Sequence, residues 1–300
     1  QISLKKFYAR RGLRILPAVL LLLIVINIFV SVFETSAQTS RVRWDSLAAL
    51  FYIANWLRAF GHDIGILGNL WSLSIEEQFY LIWPLTLLFL LSRKFRVNRI
   101  LIVVAMAIVF VNLDRIYLYH GAESFDRIYN GLDTRADALL VGCALGLAGY
   151  EVFSARIWAI LGLIGAAFVG YVLFFAYPVP GSVQVPFGLT IGGTLFAIGV
   201  AVFLAGILSN AQSIPAKLLR LPPLVWAGRL SYGLYLWHFF VFVFIAGWFR
   251  GNQPRLIPVQ IAATFLIAAI SYYFLERPCL KLKKKFSVVQ TCEPSTNGPT

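Results

Sequence analysis

Long apolar stretches follow one another along this chain, separated by short polar segments. Residues 13–33, 72–92, 157–177, 187–208, 230–250 and 257–275 each offer about 20 mainly apolar residues, the length a helix needs to cross a bilayer. Two weaker stretches join them: 98–118, interrupted by Asp114 and Arg115, and 134–150. The run SLAALFYIANWL at 46–57 has only 12 residues, too few to cross, and predicts a re-entrant or interfacial helix. The pattern therefore predicts an all-α integral membrane protein. It is a multi-span helical bundle of about eight transmembrane helices over 1–285, with residues 286–300 forming a disordered tail.

Composition agrees. Apolar residues make up 59% and charged residues 13%, against roughly 45–50% and 25% in soluble domains. The net charge of +13 does not require nucleic acid as a partner, because the positions of the basic residues account for it. With eight spans and both termini cytoplasmic, most of the 26 lysines and arginines fall on one side. Clusters at 5–14, 93–99, 217–229 and 277–285 all lie there, as the positive-inside rule requires. Letting 46–57 cross would move the 93–99 cluster outside and weaken that bias. The three cysteines are irregularly spaced and suggest neither a disulfide framework nor a metal site. No H-x-x-x-H, C-x-x-C or Gly-rich phosphate loop is present, so metal and nucleotide-hydrolysis chemistries have no anchor in the sequence. No fixed-period repeat or pair of matching broken helices points to a transporter.

Four polar clusters interrupt the apolar pattern. In RRGLR, Arg11 and Arg14 share a helix face at the cytoplasmic end of the first span. Arginines there commonly anchor a helix, but guanidinium forks also suit phosphates. In WSLSIEEQFY, Ser72 and Glu76 share a face, whereas the adjacent Glu76 and Glu77 point about 100° apart and form no carboxylate dyad. Ser74 and Glu77 have the spacing of a capping box, which predicts that the helix starts there. Glu76, leading towards Phe79, Tyr80 and Trp83, stands out as an acidic residue at membrane depth.

In DTRADALLVG, Asp133, Arg135 and Asp137 stand at the external start of a span. They read either as a helix cap, with Thr134 and Asp137 as the box, or as a polar acceptor pocket. In RLSYGLYLWHFFVF, His238 lies well inside an apolar helix, either as a buried hydrogen-bonding residue or as a neutral base. His62 and His120 fall in predicted external loops with no visible pattern.

In this order and spacing, FYARRGLRILP, WSLSIEEQFYLIWPL, DTRADALLVG, RLSYGLYLWH and the closing FLERP resemble the membrane-bound acyltransferase 3 family of bacterial O-acyltransferases. The resemblance covers residues 7 to about 280. It implies transfer of an acyl group, typically acetyl, from cytosolic acyl-CoA as co-substrate to a hydroxyl of an envelope glycan such as O-antigen or exopolysaccharide. It implies about ten spans in an intact member, so that two helices, including one with a catalytic histidine and a basic residue, are expected upstream of this chain. Arg11 and Arg14 match the RxxR motif associated with acyl-CoA. Ser72 and Glu76 match the SLxxE motif, and Asp133, Arg135 and Asp137 match a recurrent polar motif.

A sugar hydroxyl needs a base, and the thioester carbonyl needs donors for its developing oxyanion. The residues expected to serve catalysis are Glu76 and His238, with Glu76 able to orient the upstream histidine. A bacterial inner-membrane location, with bilayer, acyl-CoA and glycan as partners, follows from the resemblance. The charge-derived topology puts the arginines and Glu76 at opposite faces. The competing readings are a transporter or flippase of an envelope intermediate, and an inactive fragment of such an acyltransferase.

Overall fold

The computed structural model describes residues 3–121, 123–149, 153–176, 187–249 and 254–282, and among them there is no strand. The expected tail at 286–300, the lysines at 283–285 and the outer ends of the predicted spans at 150, 177 and 250 lie outside the described residues. The helices are α1 (Leu4–Phe33), α2 (Ser36–Leu50), α3 (Ala54–Ala59), α4 (Leu70–Ser92), α5 (Val97–His120), α6 (Phe125–Asn130) and α7 (Leu132–Ala148). They continue with α8 (Ala155–Tyr171), α9 (Gly193–Ser209), α10 (Ile214–Leu219), α11 (Pro222–Trp248), α12 (Ile257–Ser271) and α13 (Arg277–Leu282).

Among the described residues, seven helical stretches are long and apolar enough to cross a membrane: Leu4–Phe33, Leu70–Ser92, Val97–His120, Ala155–Phe174, Leu189–Ser209, Pro222–Trp248 and Pro254–Leu282. This is an all-α integral membrane bundle. The eighth predicted span corresponds to α7, which has 17 residues. At 1.5 Å per residue it reaches about 26 Å, just short of a roughly 30 Å hydrocarbon core.

Three boundaries differ from the sequence-based expectation. The first helix begins at Leu4, not near residue 13, with the Ser3 hydroxyl accepting from the Lys6 amide at 3.4 Å. Its 30 residues span about 45 Å, so the basic first turns extend beyond the hydrocarbon. The short helix predicted at 46–57 is two helices, α2 and α3, broken at Tyr52, whose φ of 56° no helix can continue through. Thr35 and Gln38 form a reciprocal capping box that starts α2 far upstream of Ser46. Finally, α4 begins at Leu70, so Ser74 is already inside the helix. Its hydroxyl donates to the Leu70 carbonyl at 3.0 Å and caps nothing.

The chain gathers into two compact units. One combines α1 with residues 230–282. There the Tyr232 hydroxyl donates to the Ile15 carbonyl at 3.0 Å, and Phe29 meets Phe240 and Phe244 edge-on at 5.7 and 5.3 Å. The other unit spans Glu34–Arg229. Its core joins α4, α5 and α7 through Phe79, Leu90, Ile100, Val104 and Leu140. Trp83 stacks on Phe79 at 5.9 Å and extends that core along α4.

In the same unit α8 and α9 pack backbone to backbone. A methyl on Gly165 would stand 2.6 Å from the Gly199 carbonyl oxygen, and one on Gly206 would stand 2.8 Å from the Trp158 carbonyl oxygen. With no hydrophobic drive between helices in lipid, such small residues let van der Waals contact hold the pair.

Candidate functional site

Two motifs far apart in sequence meet in the larger unit. Ser72 and Glu76 of α4 line one pocket together with Arg135 and Asp137 of α7, and Trp71 and Gly193 also form part of its wall. The pocket encloses about 270 Å³. Shared-face geometry on α4 puts Ser72 and Glu76 on the same side, as their spacing predicts. Glu76 is exposed at the rim and not buried inside the bundle, while Glu77 is half-buried.

Arg135 is held by aromatic faces: its guanidinium carbon lies 4.3 Å from the Tyr129 ring centre and 5.8 Å from that of Trp71. Trp71 and Tyr129 themselves pack at 5.0 Å. Asp137, 2% exposed, is not a capping residue. It accepts from Arg115 Nη2 at 2.8 Å, and the Thr194 hydroxyl contacts the same carboxylate oxygen. Arg115 Nη2 also lies 2.9 Å from Asn112 Oδ1 and 2.6 Å from Thr194 Oγ1. A buried network thus ties α5, α7 and α9 together directly behind the pocket wall. Two opposite charges so placed satisfy each other where lipid and apolar side chains offer nothing else.

Asp133 does not line the pocket. Its carboxylate takes both terminal nitrogens of Arg127, at 3.0 and 2.5 Å. That hydrogen bonding, outweighing the opposing effect of burial, holds the Arg127 guanidinium above its ordinary range. The α7 N-terminus is capped by neither member of the predicted box. Gly131 precedes the helix with no side-chain cap, and the hydroxyl of Thr134 donates to the Gly131 carbonyl at 3.0 Å.

His238 belongs to the other unit and lines a separate pocket of about 330 Å³ with Tyr235, Phe242 and Thr264. Its Nδ1 lies 2.7 Å from the Tyr235 carbonyl oxygen, which can only accept, so Nδ1 donates this hydrogen bond. Arg11, half-buried, and Arg14, exposed, stand towards the N-terminal end of α1 in that same unit. Glu276 of the FLERP motif is buried on a π-helical turn and accepts from Ser271 at 3.1 Å.

Sequence reasoning missed Arg115 as a partner of Asp137, although a lone arginine inside an apolar run was a visible signal. It also missed His62, which is not an unpatterned loop residue: its Nε2 lies 2.8 Å from Asp45 Oδ1. His120 is the last residue of α5, not a loop residue.

A family model described as an acyltransferase domain matches residues 1–276. The chain belongs to the acyltransferase 3 family. This acyltransferase-family chain is 35% identical over 298 residues to the peptidoglycan O-acetyltransferase OatA of Listeria monocytogenes, covering 93% of the chain and 47% of that protein. It is 33% identical over 295 residues to the O-acetyltransferase OatA of Staphylococcus aureus, covering 94% of the chain and 48% of that protein. The chain therefore spans about half the length of these relatives. No solved structure matches it significantly.

Proposed function

We propose that this chain is the membrane part of an O-acetyltransferase that moves an acetyl group from cytosolic acetyl-CoA to a hydroxyl of an envelope glycan. The name of the Listeria monocytogenes relative favours peptidoglycan over O-antigen or exopolysaccharide as that glycan. The observation that carries the reading is the convergence of Ser72, Glu76, Arg135 and Asp137 on one pocket beside Trp71. A flat indole suits the apolar face of a sugar ring, and the hydroxyl and carboxylate groups suit its edges.

Within that pocket Glu76 is the group able to accept a hydrogen bond from the attacking hydroxyl, or from a base that deprotonates it. Arg135 supplies N–H donors for charge developing on the acyl oxygen. Asp137, committed to Arg115, sets the shape of the wall. Arg11 and Arg14, on the extended basic turns of α1, are suited to the phosphates of CoA. An inner-membrane location with the N-terminus in the cytoplasm would give them access to that donor.

The test is transfer of labelled acetyl from acetyl-CoA to cell-wall glycan in membranes carrying Glu76→Gln, in the native gene context. Loss on the order of 10²-fold or more with unchanged protein level is expected. Full retained transfer would remove Glu76 from the chemistry. A transporter, by contrast, would leave Arg11 and Arg14 equally open to guanidine-modifying reagents with and without CoA.

A further inference from the structure

One member of the buried network approaches the Glu76 pocket from behind its wall. Arg115, 1% exposed, bonds Asn112, Asp137 and Thr194 through Nη2, and its buried Nε has no hydrogen-bond partner among the described residues. Its Nη1 faces Gly193 of α9, which lines the pocket. A methyl on Gly193 would stand 3.1 Å from Arg115 Nη1 and 3.7 Å from Arg135 Nη1. Among the described residues nothing else comes within 4 Å of it, its chain neighbours and its helix's own backbone aside. Guanidiniums from α5 and α7 therefore open together on the space that a side chain at position 193 would fill.

Their charges are unequally matched. Arg115 is balanced by Asp137 at 2.8 Å. Arg135 is held by the rings of Tyr129 and Trp71, and no ion pair engages it among the described residues. Stacking covers the faces of a guanidinium and leaves the N–H groups along its edge, which match the paired oxygens of a carboxylate or phosphate. Glu76 and Asp137 line the same pocket, so its own charges nearly cancel. That balance suits the single charge of a carboxylate better than the double charge of a phosphate.

We propose that Arg115 and Arg135 form a carboxylate-binding site over Gly193, and that the acceptor glycan carries a carboxylate that docks there. That the ligand is a glycan rests on the acetyl-transfer reading above, whereas the anion site rests on the geometry around Gly193. Arg135 has five N–H donors, so engaging a carboxylate at Nη1 leaves others for the acyl oxygen. Arg115 acts in this site as a specificity-determining residue, and Asp137 is its positioning residue. Glycine is needed at 193 because a side chain would fill the space between the two arginines.

The test compares two sugars that differ only at C6, methyl glucuronide with its carboxylate and methyl glucoside with its hydroxymethyl group. Binding to the protein in nanodiscs of phosphatidylcholine is followed by saturation-transfer NMR at pH 7, with no acyl donor present. The glucuronide is expected to bind about tenfold more tightly. Gly193→Ala should abolish that preference and leave glucoside binding as in the native protein, which also reports that the variant is folded. The substitution keeps every charge, so a preference that survives it reflects only the general +13 charge of the chain and overturns the proposal. Arg135→Gln should likewise lose the preference.

Equal affinities in the native protein, or a preference retained in Arg135→Gln, also overturn it. Tighter binding of glucose 6-phosphate than of the glucuronide overturns the choice of a carboxylate. These readouts need no acetyl transfer. A native protein that prefers the glucuronide yet transfers no acetyl group would refute the acetyl-transfer reading and leave the anion site standing.

Discussion

Replacing Asp137 with asparagine changes almost no volume but removes the charge that balances Arg115. Both side chains are 2% exposed and their charged atoms lie 2.8 Å apart. At an effective dielectric of about 20 the gross attraction is about 6 kcal/mol, most of it offset by the desolvation both ions have suffered. Removing one partner keeps that desolvation for the other and forfeits the attraction, which costs about 3–5 kcal/mol. A single neutral hydrogen bond between membrane helices averages only about 0.6 kcal/mol, so the ionic term decides the outcome.

Asn112 and Thr194 remain as acceptors for Arg115 and will keep the loss towards the lower end. The assay is reversible unfolding in mixed micelles with increasing SDS, followed by near-ultraviolet circular dichroism. Asp137→Asn should lower the unfolding free energy by about 3 kcal/mol, a more than hundred-fold change in the equilibrium constant. The double variant Arg115→Met with Asp137→Leu, which removes both charges, should recover most of it. A single variant within about 1 kcal/mol of the native protein, or a double variant as unstable as the single one, would refute a charge-balanced lock.

Gly165→Val places side-chain atoms against the Gly199 backbone, forcing α8 and α9 apart, and should cost about 1–3 kcal/mol in the same unfolding assay. Arg127→Gln breaks a pair whose partner Asp133 is 36% exposed at its side chain, so a stability loss of about 1 kcal/mol or less is expected. Trp71→Ala removes the aromatic wall beneath Arg135 and is expected to raise the KM for glycan more than it lowers kcat, measured by acetyl transfer at varied acceptor concentration.

The most legible feature of the site was its residue list. Ser72, Glu76, Arg135 and Asp137 were visible as polar residues in apolar surroundings, and their spacing predicted which of them share a helix face. Their roles were less legible. Thr134 and Asp137 carry the spacing of a capping box, yet Asp137 turns inward because Arg115, distant in sequence, offers a stronger partner than a backbone amide. Ser74 and Glu77 misplaced the start of α4 for a related reason. The helix begins upstream at Leu70, whose buried packing outweighs the preference of a serine for a cap.

Apolar run lengths alone determined that the chain is a bundle of membrane helices, because a bilayer leaves backbone polar groups few alternatives. They also determined which polar residues stood out. Tertiary structure decided the pairings: Arg115 with Asp137, Arg127 with Asp133, and His62 with Asp45. Helical periodicity relates residues a few positions apart, whereas these charges find one another across 22, 6 and 17 positions through turns and helix packing that no local pattern encodes.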